Sequence, residues 1–123
     1  MKDDGASIYI TDDTDSVREH VADVLRAEGF SVHARGSDAS RNTDTRSLRR
    51  FSCALVNLES QDSKQDAVDF AEILRVYKPG LPVAFLHEHA SPELRQRANA
   101  VGPVFRKPDD FQNVLNWARR QAS

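Results

Sequence analysis

With 123 residues and a formal net charge of -2 at pH 7, the chain suits one domain able to build its own core, and it has no bulk attraction to DNA or an anionic membrane. Hydrophobic residues at 39% and charged residues at 29% exclude a disordered chain, and apolar runs such as Val83-Ala84-Phe85-Leu86 are far too short to span a bilayer. The N-terminal Met-Lys-Asp-Asp-Gly lacks the apolar stretch of a signal peptide, and a lone cysteine, Cys53, cannot form an internal disulfide, so a reducing cytoplasm is the expected compartment.

In chain order, Ile8-Tyr9-Ile10 is a short β-rich run that ends in Asp12-Asp13. A helix is predicted to start near Asp15 or Ser16, both good N-caps, because Val17, Val21, Val24 and Leu25 then fall on one face. Gly29 is its expected stop. Phe30, Val32 and Ala34 alternate with Ser31, His33 and Arg35, as in a half-exposed edge strand. By position Ser37 to Arg50 should hold a helix, yet Ala39 and Leu48 are nearly its only core candidates, so a short or partly unwound segment fits too. Cys53 to Leu58 is apolar except for Asn57 and reads as a central buried strand, with Cys53 a small buried hydrophobe. Lys64 to Lys78 is an amphipathic helix with Phe70, Ile73, Leu74 and Tyr77 as its stripe, ended by Pro79-Gly80. Val83 to Leu86 is a second buried strand. Ser91-Pro92 is an N-cap followed by proline at the first helical position, with Leu94, Ala98 and Val101 as the buried face. Gly102-Pro103 breaks that helix, Val104-Phe105 is a short strand, and Phe111, Val114, Leu115 and Ala118 mark the last helix.

Five β-α units imply a parallel sheet covered by helices on both faces. Two fully apolar central strands and an alternating second strand favour the flavodoxin-like order 2-1-3-4-5 over a single domain spanning 1–123, with strand 2 at the edge. Ligands of open α/β sheets bind beyond the carboxyl ends of the strands. There this chain places Asp12-Asp13, Asn57, His87-Glu88-His89 and Arg106-Lys107, which should converge on one crevice.

Ile8-Tyr9-Ile10-Thr11-Asp12-Asp13, Leu55-Val56-Asn57-Leu58, Pro82 to His87 and Phe105-Arg106-Lys107-Pro108, in that order and spacing, resemble the CheY-like receiver domain of response regulators over essentially the whole chain. The resemblance implies two-component phosphorelay signalling. In the family an acidic pair binds Mg2+, an aspartate ending strand 3 accepts a phosphoryl group, and both a Ser or Thr ending strand 4 and a Lys before a cis-proline contact that group. Asp12 and Asp13 match the acidic pair, Lys107-Pro108 the lysine and proline, and Phe105 the aromatic residue that changes rotamer on activation. The family's common contact face is the fourth helix, strand 5 and the fifth helix, where Trp117 is either core edge or an exposed anchor.

The departures are as informative. Asn57 stands at the phosphoacceptor position, where a neutral amide has no anionic oxygen to attack phosphorus and gives Mg2+ no carboxylate. His87 replaces the small hydroxyl, Glu88 adds negative charge, and the loop from Glu59 to Ser63 lacks the usual Pro and Gly. The expectation is a degenerate pocket of Asp12, Asp13, Asn57, His87 and Lys107, with Lys107 ion-paired to Asp12 or Asp13 and with no cofactor beyond weakly bound Mg2+ on Asp12 and Asp13. Such a pseudo-receiver would be no enzyme. It would contact a histidine kinase or a downstream signalling protein, or dimerise through the fourth-helix, strand 5, fifth-helix face, without nucleic acid or membrane. Two other readings stay open: a phosphorylatable receiver using Glu59, Asp62 or a native aspartate at position 57, and a small metal-dependent enzyme using Asp12, Asp13, His87 and His89.

Overall fold

A computed structural model describes residues 7–12, 15–35, 47–59, 67–107 and 110–122. Strand β1 (Ser7–Thr11) leads to helix α1 (Asp15–Ala27), β2 (Ser31–Arg35), a 3-10 turn (Ser47–Arg50) and β3 (Cys53–Asn57). Helix α2 (Ala67–Tyr77), β4 (Val83–His87), α3 (Pro92–Asn99), β5 (Val104–Arg106) and α4 (Phe111–Ala122) follow. The strands form one parallel sheet in the order β2-β1-β3-β4-β5, so the expected flavodoxin-like architecture is the observed one.

Strand parity sorts the core into two halves, because successive side chains point to opposite faces of a sheet. Ile8, Ile10, Cys53, Leu55, Ala84 and Leu86 pack with Val21, Ala22 and Leu25 of α1 and Val114, Leu115 and Ala118 of α4. Tyr9, Ala54, Val56, Val83 and Phe85 face the other way, onto Phe70, Ala71 and Leu74 of α2 and Ala98 of α3. Burial pushes the Cys53 thiol up to about 12, so it stays protonated and packs as a hydrophobe.

Local signals hold up where they were specific. Gly29, at φ 98°, closes α1 with bonds from its own N–H to Arg26 O (3.0 Å) and from Phe30 N–H to Leu25 O (3.2 Å), the paired pattern of a Schellman end. Ser91 Oγ accepts from Leu94 N–H at 3.2 Å, with Pro92 in the first turn of α3. One reading, the buried face of α2, needs correction, and the structure bears on two that the sequence left open. Among the described residues the segment before β3 holds only the Ser47–Arg50 turn, anchored by buried Leu48, while 36–46 lie outside them. The buried face of α2 is Ala67, Val68, Phe70, Ala71 and Leu74, whereas Ile73 and Tyr77 are 39% and 58% exposed. Phe70 and Leu74 of the expected stripe stay inside with Ala67, Val68 and Ala71, so the buried face is centred on these and leaves Ile73 and Tyr77 outside it. Trp117 is only 6% exposed, with its ring 6.4 Å from Phe105 in an edge-on arrangement. It is an internal side chain and not an exposed anchor.

Candidate functional site

At the carboxyl end of the sheet, β1 and β3 end in Asp12 and Asn57, and β5 runs into Lys107. All three share the parity of the α1/α4 face, so their side chains meet. Lys107 Nζ lies 2.9 Å from Asp12 Oδ2 and donates to Asn57 Oδ1 at 3.3 Å. Both charged side chains are buried, 6% exposed for Lys107 and 3% for Asp12. A buried ion pair needs such close geometry and further hydrogen bonds to offset its desolvation. Asn57 supplies one of them, and Arg18 Nη1 fastens the Asp12 carbonyl at 2.9 Å. The ladder between β4 and β5 continues into this site through Lys107 N–H and His87 O at 2.8 Å. Asp13 and Pro108 lie outside the described residues.

The described donors, Asp12 and Asn57, face the ammonium of Lys107, and the second expected carboxylate, Asp13, lies outside the described residues. The ammonium already neutralises Asp12, and Asn57 offers a neutral oxygen where a hard divalent cation prefers a carboxylate. Among the described residues no group of three His, Cys, Asp or Glu is placed to hold a metal.

His87 does not join this cluster. Its parity is that of Val83 and Phe85, so its ring lies on the α2/α3 side, in a groove shared with Arg95, Arg106 and Asp110. It is 7% exposed, and among the described residues its Nδ1 is buried without a hydrogen-bond partner. Burial and then the nearby Arg95 charge lower its pKa, with Arg106 adding to this and Glu59 and Asp110 opposing it. His89 is exposed at the rim. The strand-end residues expected in a single crevice are therefore divided between opposite faces of the sheet. Phe105, which matches the family's rotamer-changing aromatic residue in the sequence, packs against Trp117 on the face opposite His87.

Glu59 carries a role that the residue pattern did not reveal. Its carboxylate accepts from the backbone N–H of Glu88 and, at 2.8 Å, from that of His89. It thus ties the loop after β3 to the loop after β4 across the top of the sheet. Its partner atoms are backbone amides, which no side-chain motif announces.

No protein-family model matches the chain, and no curated protein matches it in sequence. Solved structures do match in shape. A response regulator receiver domain protein from Clostridium thermocellum superposes with a TM-score of 0.83 at 18% identity, over 95% of this chain and 94% of that one. The fold is that of a receiver domain. The chemotaxis response regulator CheY4 of Vibrio cholerae shares this receiver fold at a TM-score of 0.73 and 22% identity, over 94% of this chain and 98% of that one. The beryllofluoride-activated NtrC4 receiver domain, a dimer in solution, does so at 0.70 and 17% identity, over 96% and 99%.

Proposed function

We propose that this chain is a receiver-type domain of two-component signalling that works without aspartyl phosphorylation, as a pseudo-receiver acting through protein contact. The observation that carries the reading is the position of Asn57. It ends the central strand within hydrogen-bond reach of Lys107, where a receiver has its phosphoacceptor, and it presents an amide with no nucleophilic oxyanion. Lys107, which would pair with a phosphoryl group, is engaged by Asp12. Glu59 accepts from two amides of the loop after β4, a tether that calls on no phosphoryl group.

On this reading the domain is cytoplasmic and not itself an enzyme. Its partner is a histidine kinase or a downstream signalling protein, met through the face of α3, β5 and α4, which also serves a homodimer. It needs no cofactor, and any Mg2+ at Asp12 and Asp13 binds weakly. Incubation with acetyl phosphate and Mg2+, followed by intact mass measurement, tests the central point. The expected spectrum shows no phosphate adduct, and a hydroxylamine-labile adduct would overturn the reading.

A further inference from the structure

Helix α2 carries an apolar surface that the core does not use. Ile73, Val76 and Tyr77 stand at i, i+3 and i+4, neighbours on one side of the helix, and among the described residues they are the exposed large hydrophobic side chains. Val76 is the most open, at 74%. Single apolar residues scattered over a surface are ordinary, whereas a contiguous group on one helix face is the usual mark of a contact site. This face turns away from Ala67, Phe70, Ala71 and Leu74, which the helix buries against the sheet.

The charges beside the stripe indicate what covers it. Lys78 is turned inward, where its Nζ donates to Arg49 O at 3.0 Å and to Phe51 O. Asp69 is paired with Arg97 of α3 at 3.7 Å. Glu72 and Arg75 remain. Glu72 is exposed, with no hydrogen bond or ion pair to another described residue, and Arg75 donates only through Nε, to Leu81 O at 3.2 Å. Being three residues apart, the two lie on the same flank of the stripe, yet they form no ion pair with each other.

We propose that α2 packs against α2 of a second copy of this chain, antiparallel about a two-fold axis. Such an interface uses the same patch on both copies, so the patch must be self-complementary. An antiparallel arrangement meets that requirement. It sets Ile73 of each copy against Val76 and Tyr77 of the other, and Glu72 of each copy beside Arg75 of the other. A partner with one sign of charge along this flank would meet either Glu72 or Arg75 with a like charge. The helix has 11 residues, so the shared area is small and the association belongs to the weak, transient class. The contact is separate from the face of α3, β5 and α4 and does not depend on the signalling reading.

Sedimentation velocity of the full chain, from micromolar to millimolar concentration, tests this. A concentration-dependent shift from monomer to dimer is expected. Val76→Asp, on an open side chain, should weaken association by about tenfold or more and leave the melting temperature unchanged. Glu72→Arg and Arg75→Glu should each weaken self-association by about threefold or more, the scale of exposed charge pairs. A mixture of those two variants should associate more tightly than either alone, a recovery that a merely apolar surface would not show. Arg120→Glu, exposed on α4, should leave association unchanged. A monomer at every concentration, or a dimer that Val76→Asp leaves intact, would sink the proposal.

Discussion

Lys107 Nζ and Asp12 Oδ2 stand 2.9 Å apart, two opposite charges from the last and first strand ends, each almost closed off from solvent. Breaking one side of such a pair strands a charge in a low-dielectric site, a cost of about 3–5 kcal/mol, whereas removing both together is far milder. Lys107→Met alone should therefore destabilise the domain by that amount in urea unfolding. The Asp12→Asn/Lys107→Met double variant should recover most of the loss. Additive losses in the cycle would show that the two groups are not coupled.

Asn57 sits within reach of the same ammonium. An Asn57→Asp variant would place a second carboxylate beside Lys107, restoring one missing feature of a phosphoacceptor site. His87, on the far face, supplies no hydroxyl to it, and Glu59 still occupies the loop amides. The variant should remain unlabelled by acetyl phosphate with Mg2+ in intact mass measurements. A hydroxylamine-labile adduct would show instead that this one amide is all that silences the pocket.

Glu59 should matter for loop order more than for global stability. Glu59→Gln keeps one acceptor oxygen but loses the charge, and with it about half the strength of a charge-assisted bond. Hydrogen exchange at the Glu88 and His89 amides should accelerate clearly. The unfolding free energy should fall by only about 1–2 kcal/mol. Unchanged exchange at both amides would remove the tether from the account.

His87 links stability to acidity. Its folded pKa lies below the ordinary 6.5, chiefly through burial and Arg95, so the unfolded chain binds the proton more readily than the folded one. The histidine's contribution is thus complete above pH 6.5 and is lost as pH falls through the folded-state pKa. Urea midpoints measured on both sides of pH 6.5 should decline on the acid side in the native chain. In His87→Leu the decline should be shallower, and parallel curves would contradict the assignment.

Gly102 is needed where α3 turns into β5, for a reason of space. A Cβ there would lie 1.8 Å from Val83 O, and backbone cannot give way as a flexible side chain does. Gly102→Ala should cost about 2 kcal/mol or more and lower the melting temperature. Gly29→Ala, strained by its φ of 98° but with open space around it, should cost about 1 kcal/mol.

Much of the architecture was legible because its signals are local. Alternating apolar strands and amphipathic helices specified the parallel sheet and its order. Gly29, Ser91 and Pro92 marked helix ends through backbone chemistry that depends only on near neighbours. The α2 face was less legible, since two alanines pack inward while the larger Ile73 and Tyr77 stay exposed. Hydrophobic size alone does not show how closely a helix approaches a sheet. The Glu59 tether was illegible because its acceptors meet main-chain amides about thirty residues away.

By itself, the sequence determined the identity of the residues at the strand ends, including the amide at Asn57 and the pairing of Lys107 with an aspartate. It could not say which of those side chains share a face. Strand register decided that, and a shift of one residue sends a side chain to the opposite side. Through register, Asp12, Asn57 and Lys107 gather on the α1/α4 side while His87 and Arg106 turn to the other. What looked like one crevice in the order of residues is, in three dimensions, a closed ion pair on one face of the sheet and a separate histidine on the other.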